Sequence, residues 1–177
     1  MASTRSYALF TTALGTCAIA WSEIGLTGVW LPEAHADSLR RKVARRIEAA
    51  RESEPSGRVA DAVAAIKRLL AGERIDLSDV ALDDAGIDDF DRRVYAVTRT
   101  IGPGRVLTYG EVAARVGVAA TARAVGRSLS RNAMPIVVPC HRVIGANGSL
   151  TGFGGGLATK KFLLEHEQCH ARFALTP

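Results

Sequence analysis

The feature that most constrains the fold is a change of hydrophobic period along the chain. Up to Pro32 the apolar residues fall in short blocks, "YALFTTALG", "TCAIAWSEIG" and "LTGVWLP", punctuated by Gly15, Gly25 and Pro32. Such blocks read as the strands of a meander. Beyond Pro32 the period becomes helical. Leu39, Val43 and Ile47 recur at four-residue steps in "HADSLRRKVARRIEAARE", whose other faces are basic and read as a solvated surface. "SEPSGR" breaks that helix. "VADAVAAIKRLLAG" forms a second helix ending at Gly72, and "FDRRVYAVTRTIGPG" a third stopped by Gly102-Pro103-Gly104. Strands first and helices afterwards predict an α+β fold. It comprises an N-terminal small sheet with helices and a C-terminal, mostly helical domain. The acidic, irregular "ERIDLSDVALDDAGIDD" marks the boundary, giving domains at 1–85 and 86–177. A chain of 177 residues that is 47% hydrophobic can fill both cores.

The first block also imitates a secretory signal, with Arg5 ahead of it and Ala18-Ile19-Ala20 resembling a cleavage site. The strand meander is the preferred reading. No uncharged apolar run reaches the roughly 18 residues of a spanning helix, so no membrane partner is expected. Three cysteines without a C-x-x-C pair argue against a disulfide framework and against a thiolate zinc site. They point to a reducing compartment, the cytoplasm.

Charge is uneven. The first 98 residues carry 13 Lys and Arg against 15 Asp and Glu, whereas the remaining 79 carry 10 against 3 and contain no Asp. A basic second half suits a polyanionic partner. Within it, Thr108 and Glu111 have capping-box spacing at the start of "TYGEVAARVG", where Val112 and Val116 repeat at helical spacing. A short "VAA" connection leads to Thr121, a second capping residue, and to "ARAVGRSLSRN". Two short helices joined tightly have the outline of a helix-turn-helix. Arg123, Arg127 and Arg131 form one stripe at four-residue steps, interleaved with Ala122, Ala124 and Gly126. Gly126 costs roughly 1 kcal/mol of helix propensity against Ala. Either a close-packed neighbouring helix or a partner's close approach would account for it.

In "RNAMPIVVPCHRVIG" an apolar run that looks like a strand meets Pro139 and then Cys140, His141 and Arg142. A nucleophilic thiolate needs a base or a positive charge beside it. Adjacent residues on a strand face opposite ways, so contact between Cys140 and His141 requires a turn or a bridging water. Glu165 and Glu167 in the following helix "TKKFLLEHEQCHARF" are candidates to orient the imidazole. Cys17, in a strand, and Cys169, in that helix, read as small buried hydrophobes. Between these elements lie the turn signal Asn147-Gly148 and the glycine-rich "GFGGG", which has one ring, Phe153. Neither phosphate-loop nor dinucleotide spacing is present, so no cofactor and no metal are expected.

"RAVGRSLSRNAMPIVVPCHRVIG" followed by "GSLTGFGGGLATKKFLLEHE" closely resembles the O6-alkylguanine-DNA alkyltransferases, densely from Phe90 to Glu167 and more weakly in the meander. The resemblance implies single-turnover transfer of an alkyl group from O6-alkylguanine in double-stranded DNA, with O4-alkylthymine as a second candidate substrate. Cys140 is then the acceptor, His141 its base through a water, and Glu167 the group that orients His141. Asn132 holds the turn before the active-site segment, and Tyr109 lies near the phosphate and the guanine. Arg123 fills the place of a nucleotide flipped out of the duplex. Thr121, Ala122, Gly126, Arg127 and Arg131 complete the minor-groove helix. Backbone groups of Cys140, Val143 and Gly154 bind the guanine edge, and Phe153 stacks. The expected protein is a monomer. Two positions depart from the family pattern. Ala133 stands where Pro is common, which loosens the turn, and Phe153 stands where Tyr is frequent. Two other readings are a non-catalytic helix-turn-helix module, which binds lesions or regulates, and a Cys–His hydrolase that does not use DNA.

Overall fold

The computed structural model describes residues 5–47, 49–117, 120–168 and 174–175. Strands β1 (Ser6–Thr12), β2 (Gly15–Trp21) and β3 (Leu26–Trp30) form the expected antiparallel meander. Helix α1 (Ala36–Arg46) buries Leu39 and Val43 against Ala18 of β2. It stops earlier than its sequence pattern suggests. Arg51–Glu52 leave the helix to become β4, which pairs parallel with β1 and gives the sheet order β3-β2-β1-β4. Ala49, at φ 57°, turns the chain there, and the Arg51 and Ser53 N–H groups donate to the carbonyls of Arg5 and Tyr7. Helix α2 (Gly57–Leu70) buries Ala62, Val63, Ile66, Leu69 and Leu70.

The acidic segment that follows is ordered against the start of β3. The Leu26 N–H donates to Ala81, the Asp83 N–H donates to Leu26, and the Ser22 hydroxyl donates to the Asp83 carboxylate at 2.7 Å. Gly25 is required at this crossing, because a Cβ there would lie 2.6 Å from the Ala81 carbonyl oxygen.

The chain forms two compact units, Met1–Ala85 with Ala133–Val137, and Gly86–Asn132 with Val138–Pro177. The 86–177 segment is therefore not one continuous block. Ala133–Val137 joins the first unit through the Val29 N–H, which donates to the Ala133 carbonyl, and through buried Met134, Ile136 and Val137.

The second unit is mostly helical. Helix α3 (Asp89–Arg99) is capped by Asp88, whose side chain accepts from the Asp91 N–H. Strand β5 (Leu107–Thr108) leads into α4 (Tyr109–Val116), where the Thr108–Glu111 capping box is formed in full. Helix α5 (Ala122–Ser130) starts at Thr121, whose hydroxyl accepts from the Ala124 N–H at 3.1 Å. The "VAA" connection lies partly outside the described residues. Helices α3, α4 and α5 pack on one another, and Val94, Val112, Val125 and Leu129 on them are buried.

The run Ile136–Val138 is not a strand. Ile136 takes φ 75°, unusual for a β-branched residue, and bends the chain. The strand comes later: β6 (Val143–Ile144) pairs parallel with β5. A turn at Asn147-Gly148 leads to β7 (Ser149–Leu150), which pairs with β8 (Ala174–Leu175). Helix α6 (Leu157–His166) follows. Cys169 lies outside the described residues. Among those described, no helix is long and apolar enough to cross a membrane.

Candidate active site

The reactive segment is one helical turn. Pro139, at φ −78° and ψ 62°, sits in a tight turn in which the Cys140 N–H donates to Val138 at 2.7 Å. Cys140–Arg142 then form a single turn of 3₁₀-helix, closed by the Arg142 N–H donating to Pro139. This turn replaces the alternating strand geometry that the sequence suggested, and it buries Cys140, His141 and Arg142 together.

His141 is fully buried, and its Nε2 lies 2.9 Å from Glu167 Oε1. A carboxylate can only accept, so Nε2 carries the proton and Nδ1 presents a lone pair. Among the described residues Nδ1 has no hydrogen-bond partner. Glu167, at the C-terminal end of α6, also takes Arg142 Nε and Nη2, both at 2.8 Å. Arg142 further donates to the Ile101 carbonyl. Burial alone would raise the Glu167 carboxyl, but hydrogen bonds from His141 and Arg142 outweigh it and hold the group at about 2. Of the two candidate carboxylates, Glu167 therefore meets His141, while Glu165 is exposed and pairs with Lys161 at 3.6 Å.

Asn132 directs its side-chain amide at the Val138 carbonyl (3.0 Å) and at Cys140 Sγ (3.2 Å). An N–H on sulfur favours the thiolate, and so do Lys160 and nearby backbone groups, yet burial dominates and the Cys140 thiol is pushed up. Burial likewise pushes the His141 imidazolium down, against the pull of Glu167. At rest the pair is thus a thiol beside a neutral imidazole. Cys17, also buried in the sheet, is raised to about 11 by desolvation, and its sulfur lies 3.7 Å from the Thr12 hydroxyl.

Tyr109, at the start of α4, donates its hydroxyl to the Thr151 carbonyl at 3.0 Å and so ties the helix to the glycine-rich loop. Phe153 in that loop meets the His141 ring edge-on, with centroids 6.4 Å apart. Gly154 has open space where a Cβ would stand. The Val143 N–H donates to the Cys140 carbonyl, and the Val143 carbonyl accepts from Lys160 at 2.7 Å.

The arginine stripe divides. Arg123 and Arg127 are exposed on α5, as are Thr121 and Ala122. Arg131 caps the helix end instead of lying within it, and its guanidinium holds both oxygens of the nearly buried Asp91 at 2.7–3.0 Å. It anchors α5 to α3. A Cβ at Gly126 would meet only the Tyr109 ring, at an ordinary 3.9 Å. Close packing within the protein therefore does not require this glycine.

Two participants escaped the sequence reading, the Arg142–Glu167 pair and Lys160. Lys160 shares a helix face with Leu163, Leu164 and Glu167, a signal that the hydrophobic pattern did carry.

Residues 89–169 match the DNA-binding domain model of 6-O-methylguanine DNA methyltransferases. The methylated-DNA–protein-cysteine methyltransferase of Mycolicibacterium paratuberculosis is 46% identical over 117 residues, covering 66% of this chain and 70% of that protein. Its counterpart in Shigella flexneri is 37% identical over 150 residues, covering 85% and 81%. The chain belongs to the methylated-DNA–protein-cysteine methyltransferase family. The fold agrees over nearly the whole length. The crystal structure of Mycobacterium tuberculosis O6-methylguanine methyltransferase superposes with a TM-score of 0.74 at 34% identity, covering 96% of each chain. The same organism's OGT in complex with DNA gives 0.76 at 34% identity, covering 92% of each.

Proposed function

We propose that this protein repairs DNA by moving an alkyl group from O6 of guanine in a duplex onto Cys140, with both DNA binding and chemistry in the 86–177 segment. The observation that carries this reading is that one buried 3₁₀ turn holds Cys140, bonded to Asn132, and His141, bonded to Glu167, with His141 Nδ1 left without a partner among the described residues. His141 Nδ1 takes the thiol proton through a water. Glu167, held ionised, stabilises the imidazolium that forms. The sulfur attacks the alkyl carbon, the C–O6 bond breaks, and guanine leaves with the electron pair. The departing guanine anion takes up the proton that His141 received from the thiol, so His141 returns to its neutral form and the net change is thiol to thioether and alkylguanine to guanine.

The damaged base is stacked inside the duplex and must be flipped out, at a cost of a few kcal/mol. Arg123 fills the gap, and Arg127 and the exposed face of α5 hold the backbone. The minor groove carries a degenerate code, which suits a protein that inspects any sequence. Phe153 and Gly154 frame the flipped base. The thioether has no good leaving group, so each molecule reacts once. The protein acts as a monomer in a reducing, cytoplasmic setting that keeps Cys140 free. The hydrolase and non-catalytic readings are disfavoured by family membership and by the intact acceptor cysteine.

The test is intact-mass analysis after incubation with an O6-methylguanine duplex in excess. One added methyl, mapped to Cys140 and lost in Cys140→Ser, is expected. Repair beyond one equivalent per protein refutes the single-use mechanism.

A further inference from the structure

The Cys140 thiolate must form at a buried position, where desolvation disfavours charge, so some group has to offset it. Arg142 looks like that group in the sequence. In the structure its guanidinium is spent on Glu167, and the two charges cancel. One other cation is buried nearby. Lys160 is fully buried on α6, with Nζ donating to the Val143 carbonyl and the Thr151 carbonyl at 2.7 Å each. The same ammonium lies 5.7 Å from the centre of the Tyr109 ring. Among the described residues it has no carboxylate partner.

We propose that Lys160 is the positioning residue whose uncompensated charge supports the Cys140 thiolate, while its two hydrogen bonds hold Val143 and Thr151 on either side of the substrate pocket. The titratable groups that interact with it are Cys140 and His141 on the 3₁₀ turn and Tyr109 on α4, and the remaining charges of these two elements are Arg142 on the turn and Lys161, Glu165 and Glu167 on and at the end of its own helix. Strands β6 and β7 contribute none. Arg142 and Glu167 neutralise each other, so the site keeps one net positive charge before and after the proton moves from Cys140 to His141. The charge lowers the thiol and the imidazolium alike. It therefore favours both the anion on sulfur and return of the proton from His141. Desolvation brings Lys160 itself down to about 8. Its support is complete below that pH and lost above it.

The proposal rests on Cys140 as the alkyl acceptor, so two reactions are followed. One is methyl transfer from an O6-methylguanine duplex, and the other is carboxamidomethylation of Cys140 by iodoacetamide, read by peptide mass. Lys160→Gln keeps two N–H donors for the two carbonyls and removes the charge. Lys160→Arg keeps both. At neutral pH the Gln variant is expected to react on the order of 100-fold more slowly in both assays. Its ratio to wild type closes toward one as the pH passes about 8, where wild-type Lys160 is also neutral. The Arg variant stays near wild type at neutral pH and overtakes it above about 8. A rate ratio independent of pH, or an Arg variant as slow as Gln at neutral pH, overturns the proposal. If thermal melting shows that the Gln variant does not fold, the pH dependence of the Arg-to-wild-type ratio decides alone. Absence of methyl transfer in the wild type would sink the functional reading, whereas the iodoacetamide ratios would still judge Lys160.

Discussion

Replacing Glu167 by Gln changes one buried oxygen to an amide and removes one charge. Its cost follows from the structure by two routes. Glu167 holds Arg142 and His141, and all three are at most 3% exposed. Breaking such a buried pair while leaving the cation behind costs about 3–5 kcal/mol. Independently, a carboxyl held at about 2 instead of its ordinary 4.5 contributes about 3 kcal/mol at neutral pH. Glu167→Gln is therefore expected to lose about 3 kcal/mol at pH 7, a fall of about 6–12 °C in melting temperature for a chain of this size. The sign of the pH dependence is fixed. Below 4.5 the unfolded chain binds the proton and the folded wild type does not, so the wild-type advantage fades as the pH falls toward about 2. Urea unfolding at pH 7 and near pH 3 should show the gap between the two proteins shrink to about half or less. Methyl transfer at pH 7 should drop by ~10²–10⁴, because Gln can still accept from Nε2 but cannot stabilise the imidazolium. Equal melting temperatures, or a gap that stays constant down to pH 3, would refute the assignment of Glu167 as an ionised partner of both residues.

Arg123→Ala should slow repair of duplex DNA far more than reaction with free O6-benzylguanine; equal slowing would place Arg123 in the chemistry or the fold. Arg127→Ala should reduce the slope of log affinity against log salt by about 0.9, whereas Arg131→Ala should change it less and lower the melting temperature instead, because Asp91 holds that guanidinium. Gly126→Ala should stabilise α5 by about 1 kcal/mol in a melt and yet weaken duplex binding in a titration, since its new methyl meets little inside the protein. A destabilised Gly126→Ala protein would instead restore the packing explanation for the glycine.

The sequence made local features legible and left tertiary partners hidden. The meander, the Thr108 capping box and the Thr121 cap rest on neighbours within a few residues, and all are present. Cys140 and His141 were readable as residue types, but the 3₁₀ turn that buries them together was not. The strand pattern of Ile136–Val138 conceals the turn at Pro139 and the positive φ of Ile136, both imposed by distant packing. Strand β4 was read as helix because two exposed residues carry no period; what places them is hydrogen bonding to β1. The stripe of three arginines was correct as a spacing, but it could not show that Asp91, forty positions earlier, claims the last of them.

The same division explains the electrostatics of the site. A cysteine followed by His and Arg suggests a thiolate beside a fixed cation. Folding instead pairs the Arg with Glu167 and buries the Cys and His in an environment that disfavours charge on either. The consequence is a nucleophile that is quiet at rest. In the proposed reaction, charge separation between sulfur and imidazole accompanies attack on an alkyl carbon held in line, and Asn132 and Glu167, already oriented by their hydrogen bonds, would not have to reorganise. A protein that can react once per molecule gains from this arrangement. A thiolate exposed continuously would be consumed by any passing electrophile, whereas a buried thiol is reserved for the base that the pocket admits.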